Sequence, residues 1–262
     1  MFSFDAIMID THCHLNDSAY TEDLDDVINR AKKAGISKIL IPGTEEADLD
    51  DMLRICRQYK GFTYPAIGLH PENINDNYKK QLDILHYIFE QYNDWIAIGE
   101  IGLDYHFDKT FVNQQQDALQ VQLEWARETQ LPVMIHSRDA TADMQSILIE
   151  AAKWGNQGVL HCFSGSYETA SRYLDYGWKL GIGGVLTFKN SKLSEVLAKL
   201  PLTSLVLETD GPYLAPTPHR GERNESSYIP LIVEKLAQIY NTTPQEVEQI
   251  TDCTAKELFR IE

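Results

Sequence analysis

The chain has 262 residues, 43% apolar and 24% charged, proportions ordinary for a soluble globular protein and enough to bury a large core. Its formal net charge of −16 excludes a passive nucleic-acid-binding module, because such modules gain affinity by neutralising phosphates with a basic face. It leaves room for an enzyme that grips phosphate through metal ions and local arginines.

The four cysteines (Cys13, Cys56, Cys162, Cys253) form no CxxC pair, which reads as reduced thiols rather than a disulfide framework or a zinc ribbon. The N-terminus lacks the basic start and apolar run of a signal peptide, and no apolar stretch is long enough to span a membrane. The expected location is therefore the cytoplasm, with no membrane and no obligate protein partner.

In chain order, short β-branched apolar runs alternate with amphipathic stretches. The runs at Asp5–Asp10, Lys38–Pro42, Thr63–Leu69, Trp95–Glu100, Pro132–His136, Gly158–Cys162, Trp178–Gly183 and Ser204–Glu208 predict eight strands, continuous enough in hydrophobicity to be parallel and covered on both faces. Helices are predicted between them at Glu22–Ala34, Glu45–Tyr59, Asn77–Gln91, Phe111–Thr129, Ala140–Trp154, Tyr167–Tyr176 and Ser191–Lys199. Gly35 stands where a C-terminal cap glycine belongs, and Pro132 and Pro201 mark helix-to-strand transitions. Two more helices, Tyr228–Tyr240 and Pro244–Phe259, close the chain, the latter capped by Thr243. The first strand runs into Asp-Thr-His-Cys-His-Leu instead of a glycine-rich phosphate loop, so the α/β alternation predicts a single (β/α)8 TIM barrel with an extra C-terminal helix, one domain over residues 1–262.

Residues able to bind metal recur where the predicted strands end. His12 and His14 follow the first strand at i, i+2 and so share a side; Glu100 ends the fourth, His136 the fifth, His161 the sixth, and Asp210 follows the eighth. A barrel brings these ends to one face, where its active sites are built. Each residue alone has a bland reading, as a hydrogen-bonded histidine, a salt-bridging carboxylate or a helix cap; their joint placement on five strands points to metal. The mixed nitrogen and oxygen set suits Zn, Mn or Co, and Mg less well. One ion would take His12, His14 and Asp210, a second His136 and His161, with Glu100 bridging. Two such ions can acidify a water and clamp both oxygens of a phosphodiester.

The motifs DTHCHL (Asp10–Leu15), AIGLHP (Ala66–Pro71), AIGEIGLDY (Ala97–Tyr105), PVMIHSR (Pro132–Arg138), HCFSG (His161–Gly165), LETDGPYLAP (Leu207–Pro216) and PHRGERNES (Pro218–Ser226) run through nearly the whole chain. Together they resemble the TatD-like metal-dependent deoxyribonucleases. The resemblance implies the same six metal ligands, and a substrate of DNA, single-stranded or at 3′ ends, cleaved by a 3′-5′ exonuclease. It has one departure: the family pattern continues Arg-Asn-Glu-Pro, where this chain has Ser226. No lysine ends the fourth strand, so related barrels that bridge metals with a carboxylated lysine match less well.

The expected chemistry is hydrolysis by a metal-bound hydroxide with Asp210 as general base and Glu100 as the bridging group. His70, beside Pro71, is a candidate for contact with the scissile phosphate or the leaving oxygen. Arg138 is a candidate phosphate clamp, and Arg220 and Arg223 are candidates to hold the DNA backbone. Glu208, two residues before Asp210, is a candidate to orient a metal-binding histidine. Cys13 and Cys162 are expected to point away from the site by strand alternation, and Asp104 and Tyr105 to shape the pocket. The alternative substrate is a carboxylic ester or amide, such as an aminoacyl-tRNA ester.

Overall fold

In the computed structural model, which describes residues 8–106 and 109–262, the apolar runs form eight parallel strands in sequence order. They are β1 (Met8–Asp10), β2 (Ile36–Ile41), β3 (Thr63–Ile67), β4 (Ala97–Asp104), β5 (Val133–Arg138), β6 (Gly158–Leu160), β7 (Lys179–Ile182) and β8 (Leu205–Leu207). The seam between first and last is closed by backbone bonds from Thr11 N–H to Leu207 O (2.9 Å) and from Asp210 N–H to His12 O (2.8 Å), completing a (β/α)8 barrel. Residues 5–7 of the first predicted strand lie outside the described residues.

Side-chain alternation with period two sorts the strands into two cores. Ile9, Leu40, Ala66, Ala97, Met134, Val159 and Val206 pack with one another and with Ala255, Leu258, Phe259 and Ile261. That cluster is the barrel lumen, stopped at its lower end by the C-terminal helix α9 (Pro244–Phe259). Neighbouring strand positions such as Ile39, Ile41, Ile67, Ile98 and Ile135 face outward to the larger core beneath the helices.

Those helices are α1 (Leu24–Lys33), α2 (Glu46–Gln58), α3 (Tyr78–Gln91), α4 (Val112–Thr129), α5 (Thr141–Lys153), α6 (Tyr167–Leu174), α7 (Leu193–Leu197) and α8 (Ile229–Tyr240). Thr243 caps α9 by accepting from Glu246 N–H at 3.2 Å. No helix among the described residues is long and apolar enough to cross a membrane. The largest departure from the sequence expectation is β4, which continues four residues past Glu100 to Asp104. Its pairing with β5 shifts between Ile98 and Ile101, so the glycines around Glu100 mark an irregular strand rather than a turn.

Candidate metal centre

Polar side chains gather where the strands end. Asp10, fully buried at the end of β1, accepts from Thr209 N–H (3.0 Å), Thr209 Oγ1 (2.7 Å), His12 N–H (3.2 Å) and Ser226 Oγ (2.6 Å). These bonds tie the loop carrying His12 and His14 to the loop carrying Asp210. Ser226, the departure from the family pattern, therefore has a structural use: its hydroxyl donates where a proline has no donor. Asp210 adopts φ 57°, sparsely populated for a non-glycine residue, and its N–H bond to His12 O holds that conformation.

Glu100 stands at the centre of the cluster and is 2% exposed. Its Oε1 lies 2.7 Å from His161 Nε2, 3.0 Å from His136 Nδ1 and 3.3 Å from His70 Nε2. Its Oε2 lies 3.1 Å from His12 Nε2 and 3.5 Å from His14 Nε2. Asp210 Oδ1 completes the second group at 3.8 and 3.6 Å from His12 and His14. Within each group nitrogens face each other closely, His12 and His14 at 3.3 Å and His136 and His161 at 3.2 Å. Ring nitrogens and carboxylate oxygens converging in this way form a donor set that fits divalent metal. All six expected ligands are thus brought together, and His70 joins them.

His70 has a double role in the geometry. Its Nδ1 accepts from Glu72 N–H at 3.2 Å, capping the turn Pro71–Asn73, which leaves Nε2 to face Glu100.

Burial opposes every charge in the cluster, and pairing decides which survive. Desolvation pushes Glu100 and Asp210 up, but the surrounding histidines bring both below their ordinary values. Desolvation pushes His161 down, yet Glu100 holds it up at about 10. His12, stacked on His161 at 4.0 Å, is pulled down to about 4 by burial and by that neighbour. Metal binding here would displace protons from the histidines, linking occupancy to pH.

Outside the cluster, Asp104 Oδ2 accepts from His136 Nε2 at 2.8 Å, fixing the ring so that Nδ1 faces the centre. Glu208 is fully buried beneath His161, its Oε1 accepting from Cys162 N–H and standing 4.0 Å from His161 Nδ1. Burial pushes this carboxyl up to about 8. The absence of a side chain at Gly181 makes the space, since a Cβ there would collide with Glu208 Oε2.

The cluster opens into a cleft of about 960 Å³. Arg138 lines it, and its charge helps to keep Asp104 ionised. Neither Arg220 nor Arg223 lines the cleft. Arg220 lies over the Phe188 ring at 3.5 Å. Arg223 donates to both oxygens of Asp23 (2.7 Å each) and to Ala19 O (2.6 Å), so it clasps its loop to the start of α1. Cys162 departs from the expectation that it points away from the site. β6 stops at Leu160 and Cys162 has φ 47°, so strand alternation does not apply and the residue lines the cleft. Cys13 is buried as expected. Tyr105 bonds through its hydroxyl to Asp143 (3.0 Å) and does not line the cleft.

Sequence reasoning missed the mouth of the cleft, formed by Asp17, Glu45, Asp48, Glu72, Tyr213 and Leu214. No signal along the chain groups them, because they come from four separate segments, after β1, at the start of α2, after β3 and after β8. It also missed the bond from His136 to Asp104, for which a signal exists: Asp104 follows Glu100 at i+4 on one strand and so shares its face.

A (β/α)8 barrel whose strand ends carry this histidine and carboxylate cluster defines the class of metal-dependent hydrolases. The TatD related DNase family model matches residues 9–260, and the chain belongs to that family. It is 39% identical over 256 residues to the uncharacterized metal-dependent hydrolase YabD of Bacillus subtilis, covering 97% of this chain and 100% of the relative. It is 32% identical over 263 residues to the 3′-5′ ssDNA/RNA exonuclease TatD of Salmonella typhimurium, covering 97% and 99%. The crystal structure of YJJV, a TatD homolog from Escherichia coli, superposes with a TM-score of 0.90 at 33% identity, covering 97% of this chain and 98% of that one.

Proposed function

We propose that this hydrolase is a deoxyribonuclease of the 3′-5′ exonuclease type, acting on single-stranded DNA or 3′ ends with a pair of divalent cations. The observation that carries the reading is Glu100, whose two oxygens face separate histidine groups, an arrangement suited to two ions flanking one phosphate. The 3′-5′ ssDNA/RNA exonuclease activity named for the Salmonella relative supports the substrate.

His12, His14 and Asp210 would hold one ion and His136 and His161 the other, with Glu100 shared. The mixed donor set favours Zn, Mn or Co over Mg. Bound there, such ions supply Lewis acidity to a phosphoryl oxygen and lower the pKa of a nearby water. Asp210 lines the cleft beside His14 and accepts the proton of the attacking water. His70 Nε2 stands on the Oε1 side of Glu100 and donates to the phosphate or the leaving oxygen. Arg138 binds a phosphate oxygen from the wall of the cleft. The four unpaired cysteines suit the reducing cytoplasm.

The test is hydrolysis of 3′-end-labelled single-stranded DNA by chelated protein, then by protein reconstituted with Mg, Mn, Zn or Co, beside Glu100→Gln and Asp210→Asn. Metal-restored release of nucleotides that both variants lack supports the reading; no release with any of the metals ends it.

A second reading is favoured by the carboxylates at the cleft mouth, Asp17, Glu45, Asp48 and Glu72, which suit a substrate bearing an ammonium group. An aminoacyl-tRNA ester or an amide fits that description, and an aminoacyl ester assayed beside the DNA under the same metals separates the two.

A further inference from the structure

Five large apolar side chains are exposed among the described residues, namely Tyr87, Trp154, Tyr176, Tyr213 and Leu214. Of these, Tyr213 and Leu214 line the cleft. Scattered exposed aromatics are ordinary, but Tyr213 differs in being fixed at both ends. Its N–H donates to Asp210 O at 2.9 Å, and its carbonyl accepts from the buried Asn224 Nδ2 at 2.7 Å. Its hydroxyl donates to Asp17 Oδ2 at 3.0 Å. The residue is 53% exposed, and its ring sits edge-on to His14, with centroids 6.2 Å apart. It is a rigid apolar face held open beside the metal ligands, and the backbone anchors it to Asp210 itself.

The charge of the cleft restricts what can use that face. Asp17, Glu45, Asp48 and Glu72 stand around the mouth, and Arg138 is the one arginine or lysine among the described lining residues. A phosphate backbone laid along this mouth would meet carboxylates, so binding cannot come from counterion release along a strand. Beyond the one phosphate held at the cluster, the further source is an uncharged group that packs on an aromatic ring, and a nucleobase offers a π-face whatever its identity.

We propose that Tyr213, flanked by Leu214, is the platform for the nucleobase of the nucleotide at the scissile phosphodiester. The cleft then reads one nucleoside rather than a length of backbone. This rests on the phosphodiesterase reading above and names its specificity-determining residue. Because the ring is already immobilised, stacking requires little further ordering. The tyrosine hydroxyl serves to hold the ring through Asp17, so the ring and not the hydroxyl sets the preference.

The experiment compares thymidine 5′-(p-nitrophenyl phosphate) with methyl p-nitrophenyl phosphate, two diesters with the same leaving group, using metal-loaded protein. In Tyr213→Ala, KM for the thymidine ester should rise about tenfold more than KM for the methyl ester, the order of one lost stack. Tyr213→Phe, which keeps the ring, should retain most of the discrimination. Equal changes in both KM values in Tyr213→Ala, or none in either, would overturn the proposal while leaving the phosphodiesterase reading intact. Failure of the unmodified protein to hydrolyse either ester with any of the four metals would overturn that reading, and the platform with it.

Discussion

Asp104 and His136 meet through a 2.8 Å bond from the imidazole Nε2 to the carboxylate Oδ2, and that bond decides which ring nitrogen faces Glu100. Both residues lie on strands, and β4 and β5 pair Asp104 with Arg138 and Gly102 with His136, so the contact is set by sheet register and not by a mobile loop. Asp104→Asn, whose amide can present either an acceptor or a donor to the ring, should weaken metal binding about 10- to 100-fold. Titrating metal against hydrolysis will check this: the midpoint should move to higher metal while the saturated rate falls less. An unchanged midpoint would remove the positioning role.

Gly181 and Glu208 make a second pair. A methyl group at residue 181 would occupy the space of the Glu208 carboxylate, which is fully buried and has no other room. Gly181→Ala should therefore lower the melting temperature and, by displacing Glu208 from beneath His161, reduce the metal retained per chain after desalting. Overpacking of this kind costs about 1–3 kcal/mol, or several degrees for a chain of this size. Elemental analysis with thermal denaturation reads both effects, and a variant normal in both would show that Glu208 has space the structure denies it.

The acidic mouth predicts an unusual response to salt. For proteins that hold nucleic acid by neutralising phosphates, added salt weakens binding. Here the repulsion between Asp17, Glu45, Asp48 and Glu72 and distal phosphates is screened by salt over roughly 8–10 Å. The kcat/KM for a 20-nucleotide strand, divided by that for a dinucleotide, should rise between 20 and 200 mM KCl, values set on the order of the screening range. A falling ratio would show that backbone contacts dominate after all.

Asp23 couples the loop after β8 to α1 by accepting from Arg223 and, at 3.2 Å, from Arg30, which also binds Glu225. Hydrogen bonding from Arg223, with Arg30 assisting, holds the Asp23 carboxyl down at about 2 against an ordinary 3.8. A depressed carboxyl contributes stability that is present above the unfolded value and is lost as pH falls toward the folded one. The melting temperature of Asp23→Asn should thus lie about 1–3 °C below that of the parent at pH 6, as expected for a solvent-screened network. The gap should close as pH falls from about 4 toward 2. A gap that persists at low pH would assign the effect to packing instead.

The strands, the helices and the clustering of six polar residues at the strand ends are legible in the chain because they depend on local signals. Strand hydrophobicity, cap residues and the position of a polar side chain after an apolar run need no knowledge of partners. What escapes is of three kinds. The apolar run ends at Glu100, and the residues beyond it are extended because pairing with β5 carries the backbone on to Asp104. Arg223 reads as a free cation in a loop, and its partner Asp23 is 200 residues earlier. Cys162 follows a strand by the alternation rule only if the strand continues, and its positive φ ends that logic. The first failure is a matter of pairing, the second of distance along the chain, and the third of one backbone angle.

The closing of the barrel also fixes an order of events. The bonds that seal β1 to β8, and Asp10 to Thr209 and Ser226, join residues 196 to 216 positions apart. While synthesis is incomplete, the histidines from β1 wait without Asp210, and the lumen lacks the helix that stops its lower end. Strand pairing can proceed from the N-terminal side, but the slow step is the joining of the two ends. The cluster is therefore among the last features of the fold to be completed, and a nascent or truncated barrel holds His12 and His14 without their carboxylate partner Asp210.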